Sequence, residues 1–271
     1  MAVIEVDGLR KEYRRLRGGS TVAVDRLDLS VPEGGVFGFL GPNGAGKTTT
    51  IRMLMGVAPP TSGEIEILGY PLPGDALESK KRIGLVPDET LLFDNLTGAE
   101  FIEFVGRMYG LAGQVARERA KELLDMFELG ATGRKLIAEY SKGMRKRVAM
   151  AAALINRPRI LLMDEPFGAL DVQTKAIMQA ELLQLWEDLR PSVLFITHDL
   201  DEAVTLSDRV VIMTSSPGTV KDVFDIDLPR PRGDVQEIRH ESRFQELQGQ
   251  IWASLKDEVT RAYERSAAVA A

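Results

Sequence analysis

The sequence predicts an α/β fold: a mainly parallel sheet with an antiparallel N-terminal β subdomain, a helical insert and a C-terminal helical extension. Three observations lead there. Short apolar runs, GVFGFL (35–40), RILLMD (159–164), SVLFIT (192–197) and RVVIMT (209–214), alternate with stretches of helical periodicity, as buried parallel strands and their crossovers do. The opening runs VIEVDGL and VAVDRLDLSV alternate apolar and polar residues instead, the pattern of half-buried antiparallel strands. From Leu96 to Ile155 the strand pattern gives way to helices.

Each element has its own signal. After GVFGFL and the glycine-rich GPNGAGKTTT, IRMLMGV reads as a helix stopping near Gly56. TSGEIEILGYPL is a strand bounded by turn residues, and KKRIGLVPDE is another that ends at Pro87. In the insert, one helix covers TGAEFIEFVGRMYG with Thr97 as its cap. A second runs from about Val115 to Leu129, with Ala120, Leu123, Leu124 and Phe127 on one face and Gly130 as its stop, and a third follows Ser141. A helix between RILLMD and SVLFIT carries Met178, Leu182, Leu185 and Leu189 on one stripe. Beyond SSPGTVKDVFDIDLPRPRGD, rich in proline and glycine, a last helix carries Phe244, Leu247, Ile251, Leu255 and Val259 at helical spacing, a stripe that needs a surface to cover it. The chain reads as a single domain: residues 1–87 and 156–215 make the core with its β subdomain, 88–155 the helical subdomain, 216–236 a connector and 237–266 the C-terminal helix.

Composition narrows the chemistry. A net charge of −6 argues against broad nucleic-acid binding, which wants a basic face. With no cysteine, disulfides, thiolate catalysis and cysteine-bound metals are excluded, and the two histidines, His198 and His240, are too far apart in sequence to suggest a metal cluster. The start MAVIEVDGLRKEY lacks the apolar core of a signal peptide, and no apolar stretch approaches the roughly 18 residues of a spanning helix. A membrane role is therefore expected to come through a partner.

Residues 41–48, GPNGAGKT, match G-x-x-x-x-G-K-[ST] between a strand and a helix. Gly41, Pro42, Asn43, Gly44, Ala45 and Gly46 would turn backbone N–H groups inward around phosphates, and Lys47, Thr48 and Thr49 open a helix whose dipole favours an anion. Lys47 can reach the β- and γ-phosphates, and the Thr48 hydroxyl can ligate Mg²⁺. In ILLMDEP, Asp164 ends a buried strand with Glu165 beside it: the first carboxylate can hold Mg²⁺, the second can polarise an attacking water. His198 follows SVLFIT directly, at the carboxyl end of a parallel strand, where such sheets bind ligands. A lone histidine is more often structural; here the phosphate loop and the paired acids favour contact with a γ-phosphate and its water.

The stretch EYSKGMRKR (139–147) places Ser141 where a helix cap belongs and crowds positive charge at the helix start, the unfavourable end for the dipole. These residues, in this order along the chain, resemble the ABC-transporter ATPase family, whose signature motif, usually LSGGQ, precedes the acidic strand; here it reads YSKGM. The resemblance implies a P-loop ATPase fold in which Ser141, Lys142, Gly143 and the helix N-terminus contact ATP held by a second ATP-binding subunit. ATP would be sandwiched between two such domains and hydrolysed with Mg²⁺ to drive a separate integral membrane permease, so the chain would sit peripherally on the cytoplasmic face of the membrane. Lys142 replaces the usual second glycine and reads equally as a solvated lysine. Tyr13 in LRKEY matches the aromatic that stacks on adenine, although alone it is a core or surface tyrosine. Asp171 in FGALD matches the interface-crossing loop after the acidic strand, or caps the next helix. Asp88 in GLVPDE stands where most members carry glutamine; an aspartate can still ligate Mg²⁺, but is shorter and, ionised, cannot donate.

The resemblance covers nearly the whole chain and joins two branches. Up to about Ala153 the sequence is similar to drug- and polysaccharide-type exporter ATPases; from about Arg157 it is similar to nitrate, sulfonate and taurine importer ATPases, which would add a substrate-binding protein to the partners. Natural recombination and an engineered chimera both account for that mosaic. Because the insert and the Asp88 loop dock on the membrane subunit in this family, an exporter-type partner is slightly favoured. Two other classes remain: an ABC-type ATPase of a soluble assembly or regulatory complex, and a binding module with a dead site, left open by Asp88 and Lys142 alone.

Overall fold

The computed structural model describes residues 2–14, 18–89, 91–168 and 170–270, the side chains of Ser266, Ala268, Val269 and Ala270 excepted. The chain forms two compact units, residues 1–79 with 192–271, and residues 80–191. In chain order the elements are β1 (Ala2–Arg14), β2 (Ser20–Pro32), β3 (Val36–Leu40), α1 (Lys47–Leu54), β4 (Ser62–Ile67), β5 (Tyr70–Leu72) and α2 (Ala76–Lys80). Next come β6 (Ile83–Val86), α3 (Gly98–Met108), α4 (Gly113–Met126), α5 (Lys142–Leu154), β7 (Ile160–Asp164) and α6 (Val172–Leu189). The chain then returns through β8 (Ser192–Thr197), α7 (Leu200–Leu206), β9 (Arg209–Met213), β10 (Val220–Asp225) and α8 (Ser242–Ala270).

In the first unit β1 pairs antiparallel with β2 and β4, and β4 with β5. Alternation along β1 buries Ile4 and Val6 and turns Glu5 outward, as period-two patterning requires. The second sheet of this unit centres on β3, flanked in parallel by β8 and β9. All five residues of β3 and all six of β8 are buried, which is why both read as continuous apolar runs. Strand β10 adds antiparallel to β9, inside a segment whose prolines and glycines read as connector. Its half-exposed edge pattern, VKDVFD, explains the difference: an edge strand needs no apolar run. The C-terminal stripe finds its surface here. Phe244, Leu247, Ile251 and Leu255 share one core with Leu40, Val204, Val210 and Ile212; Val259 is 37% exposed and lies at the margin of that stripe.

In the second unit β6 and β7 pair in parallel, and α3, α4 and α5 form the helical insert. Thr97 caps α3 in a full capping box: its hydroxyl accepts from Glu100 N, and Glu100 returns a carboxylate to Thr97 N. The α6 stripe buries Met178, Leu182 and Leu185 but leaves Leu189 40% exposed. The helix ends there, where Arg190 turns left-handed (φ 50°) and lays its guanidinium 4.2 Å from the Trp186 ring. Among the described residues no helix is long and apolar enough to cross a membrane.

Candidate functional site: a phosphate loop, an acidic strand end and a capped basic helix

In the first unit the buried strand β3 delivers the chain into residues 41–46, and α1 leaves from the far side. Gly44 and Gly46 stand at φ +82° and +83°, a region that side chains with a Cβ rarely adopt. Gly46 is also wedged: a Cβ there would lie 2.6 Å from Ala23 O. It opens α1 without a side-chain cap, and the first turn holds no acidic residue. No carboxylate of the helix's own first turn therefore competes with a ligand anion at its N-terminus. Lys47, only 6% exposed, donates to Gly41 O at 2.7 Å and Pro42 O at 3.1 Å, so its ammonium is folded across the loop. A buried cation ringed by backbone dipoles suits a polyphosphate.

Register places the histidine beside this loop. Leu40 of β3 pairs with Thr197 of β8, so Gly41 and His198 leave the sheet at the same level of its carboxyl edge. His198 is exposed, whereas its neighbours are pinned. The Thr197 hydroxyl donates to the buried Glu202 at 2.5 Å and accepts from Asp199 N, and Asp199 accepts from Glu202 N at 3.1 Å. Tyr13, near the end of β1, is 40% exposed, with the Lys11 ammonium 5.1 Å from its ring.

In the second unit β7 ends at Asp164, 6% exposed. Glu165 follows at φ +45°, a left-handed backbone that costs an ordinary residue roughly 1–2 kcal/mol. Asp88, just past β6, is exposed. The sequence did not single out Lys146. It lies on the buried face of α5 with Ala149 and Ala153, 4% exposed, and donates to Pro87 O and Asp88 O, each at 3.1 Å. Burial pushes its pKa down, and the negative charges of Asp88, Asp164 and Glu165 push it back up. Three acids and one buried ammonium thus form one electrostatic cluster. The available signal was a lysine among alanines on a helix face, hidden by the basic residues on either side.

The crowded positive charge of EYSKGMRKR is largely satisfied within the unit. Arg145 donates to Asp94 at 2.6 Å and Ile137 O at 3.1 Å, Arg147 grips Glu181 with two nitrogens, and Lys146 is held as above. Ser141 caps α5, accepting from Met144 N at 3.3 Å, and both Ser141 and Lys142 are exposed. Gly143 lies tight against α6: a Cβ would meet Thr174 Cγ2 at 2.9 Å. Asp171 caps α6, accepting from Gln173 N, Thr174 N and the Thr174 hydroxyl, and the Thr174 bonds hold its carboxyl below the usual range.

Comparison with known proteins bears on this arrangement. The family model described as ABC transporter matches residues 24–168, more than half of the chain. An uncharacterized ABC transporter ATP-binding protein of Methanocaldococcus jannaschii is 37% identical over 95% of this chain and 93% of its own length. The chain belongs to the ABC transporter family. Among its ATP-binding relatives are a daunorubicin resistance protein of Streptomyces coeruleorubidus, 40% identical over 78% of this chain and 65% of that protein, and a nitrate import protein of Synechocystis, 34% identical over 96% and 98%. An ATP-binding cassette solved as a post-hydrolysis dimer with ADP and Pi superposes with a TM-score of 0.73 at 27% identity, covering 82% of this chain and 98% of that one. This ABC protein thus has the α/β P-loop ATPase fold and resembles both exporter and importer subunits, as its sequence suggests.

Proposed function

We propose that this ABC protein is the Mg²⁺-dependent ATPase subunit of a transporter, dimerising around two ATP to drive a separate membrane permease. The observation that carries the reading is the loop at residues 41–48, with two left-handed glycines, an uncapped helix start and a buried lysine folded across it. In this reading Gly41, Pro42, Asn43, Gly44, Ala45, Gly46, Lys47, Thr48 and Thr49 hold the phosphates, and Tyr13 stacks on adenine. Ser141, Lys142, Gly143 and Asp171 meet the nucleotide of a second subunit.

The donors present suit Mg²⁺: the Thr48 hydroxyl and the Asp88 and Asp164 carboxylates are hard oxygens, and the acids of the second unit form a negative cluster beside one buried cation. When bound, the ion neutralises charge on the phosphate oxygens. Glu165 takes the proton of the attacking water, and His198 orients that water or the γ-phosphate.

An exposed apolar patch beside Asp88 supports the permease. Leu91 is 82% and Met108 73% exposed, and Phe93 packs edge-on to Phe101 at 5.8 Å and near Phe104 at 5.6 Å. Large apolar side chains left exposed around an aromatic cluster mark an interaction surface. The patch belongs to the exporter-like half, so an exporter-type permease is slightly favoured; an importer-type permease would bring a substrate-binding protein with it.

The test is Glu165→Gln. It keeps ATP affinity, slows hydrolysis by at least ~100-fold and leaves an ATP-bound dimer in size-exclusion chromatography. Hydrolysis at the wild-type rate, or a monomer with ATP, sinks the assignment of Glu165. Affinity purification in mild detergent tests the transport role: a co-purifying integral membrane protein supports it, and soluble partners alone overturn it.

A further inference from the structure

The C-terminal helix is fastened to the turn at residues 215–218, whose far end touches the phosphate loop. One turn past the last buried residue of its stripe, Leu255, helix α8 presents Glu258, a carboxylate with 1% of its side chain exposed. It accepts from Ser215 N at 2.8 Å, the Ser215 hydroxyl at 3.2 Å, Lys221 Nζ at 3.2 Å and Arg261 at 3.0 Å. Two turns on from Glu258, Arg265 donates to Ser215 O at 3.0 Å and also to Ser216 O. Helix α8 thus binds the N–H, the hydroxyl and the carbonyl of a single residue. Burial opposes the charge on Glu258, but the bonds from Ser215 and Lys221 outweigh it and hold the carboxyl below its usual range.

Ser215 opens the turn between β9 and β10, and the far end of that turn touches the nucleotide loop. A Cβ on Gly218 would lie 2.0 Å from Ala45 O, so the turn and the loop are in backbone-to-backbone contact. Gly218 N donates to Ala23 O at 2.9 Å, the same oxygen that walls in Gly46, and Gly218 O accepts from Asp25 N at 2.9 Å. The geometry of a trans peptide makes this contact matter. Ala45 C=O and Gly46 N–H belong to one plane and point opposite ways, so fixing the carbonyl against Gly218 aims the N–H away from the turn. Phosphate loops bind through such inward N–H groups.

We propose that Glu258 is a positioning residue for ATP: by clamping Ser215 it holds the turn at 215–218 against Ala45 and so sets the shape of the phosphate loop, making α8 a brace on nucleotide affinity. This rests on the ATPase reading above. A force or ligand that lifts α8 would loosen ATP without touching the residues that react.

Steady-state kinetics and amide hydrogen exchange test this on the full chain. In Glu258→Ala the KM for ATP rises about five- to tenfold while kcat at saturating ATP holds, the size of an ordinary coupling between sites. Exchange at residues 41–48 of the nucleotide-free protein speeds up. Glu258→Gln, which still accepts from Ser215 N, recovers most of the affinity. Gly218→Ala pushes on Ala45 directly and raises KM at least as far, which keeps the idea testable if Glu258→Ala fails to fold. Gln248→Ala is the control: it removes a 2.6 Å bond from α8 to Asp201, away from the turn, and lowers the thermal midpoint without moving KM. A folded Glu258→Ala protein with wild-type KM and unchanged exchange at 41–48 overturns the brace. Wild-type protein that binds no ATP refutes the ATPase reading instead, and the exchange comparison still decides the mechanical link.

Discussion

Two glycines of the phosphate loop share a backbone conformation and differ in what surrounds them, so alanine at each separates strain from packing. Gly44 and Gly46 lie at φ +82° and +83°. A Cβ on Gly44 meets nothing within 4 Å, whereas one on Gly46 meets Ala23 O at 2.6 Å and Val24 Cγ2 at 2.9 Å. Gly44→Ala therefore bears only the left-handed penalty, about 1–2 kcal/mol. Gly46→Ala bears that and an overlap with backbone, another ~1–3 kcal/mol when a packed core must shift. The oxygen in its way already accepts from Gly218 N, so it cannot retreat without breaking a bond. Calorimetry of nucleotide-free protein reads the difference. At roughly 2–4 °C per kcal/mol for a protein of this size, Gly44→Ala loses a few degrees and Gly46→Ala about twice as many or more. Equal losses, or a greater loss at Gly44, would refute the packing argument and with it the view that strand β2 walls the loop.

Three further outcomes follow from the same geometry. Lys146→Met leaves Pro87 O and Asp88 O without their donor; it costs about 1–3 kcal/mol in urea unfolding and lowers kcat by freeing the Asp88 backbone, and an unchanged kcat would remove Lys146 from the site. A double-mutant cycle of Arg147→Ala with Glu181→Ala should return a coupling of roughly 0.5–3 kcal/mol, because the pair is two-pronged and mostly shielded, whereas additive losses would reduce it to surface decoration. Glu258, held below its usual carboxylate range, stabilises the fold at neutral pH and loses that contribution as pH falls through its folded-state value. The stability gap between wild type and Glu258→Gln is therefore widest near neutrality and closes in acid, and a gap independent of pH would contradict the charged clamp.

The parts legible in sequence are those whose cause is local. Buried strands show as apolar runs, helix starts show as Thr97 and Ser141, and the phosphate loop shows because glycine spacing, lysine and hydroxyl must sit within a few residues of one another. The stripe on α8 was equally plain, but not its partner, since Phe244 meets Leu40 only after the sheet has closed. Lys146 is not legible in the sequence because burial is set by what packs above a helix face, and the two adjacent arginines give the segment a uniformly solvated look. Strand β10 was hidden by prolines and glycines that belong to the turns around it.

What the sequence could not convey at all is the direction in which charge is used. EYSKGMRKR reads as a basic helix start awaiting an anion. The structure divides that charge: Arg145 and Arg147 are held by Asp94 and Glu181, and Lys146 by backbone carbonyls beside the acids. Lys142 and Ser141 remain exposed at the tip, with Gly143 packed against Thr174 behind them. A helix N-terminus whose own arginines are neutralised by fixed partners keeps its orientation when an outside anion arrives, because binding then need not first break internal pairs. Electrostatic preorganisation of this kind favours binding by removing reorganisation, not by adding contacts. The departure from glycine at Lys142 then adds a positive charge where the dipole is already positive, and that addition is favourable only with an anion in place. Lys142→Gln, which removes the charge without glycine's cost to the helix, should therefore leave the stability of the nucleotide-free protein the same or slightly higher and weaken the ATP-bound dimer. A weaker monomer with an unaltered dimer would mean that the lysine serves the fold and not the neighbour's nucleotide.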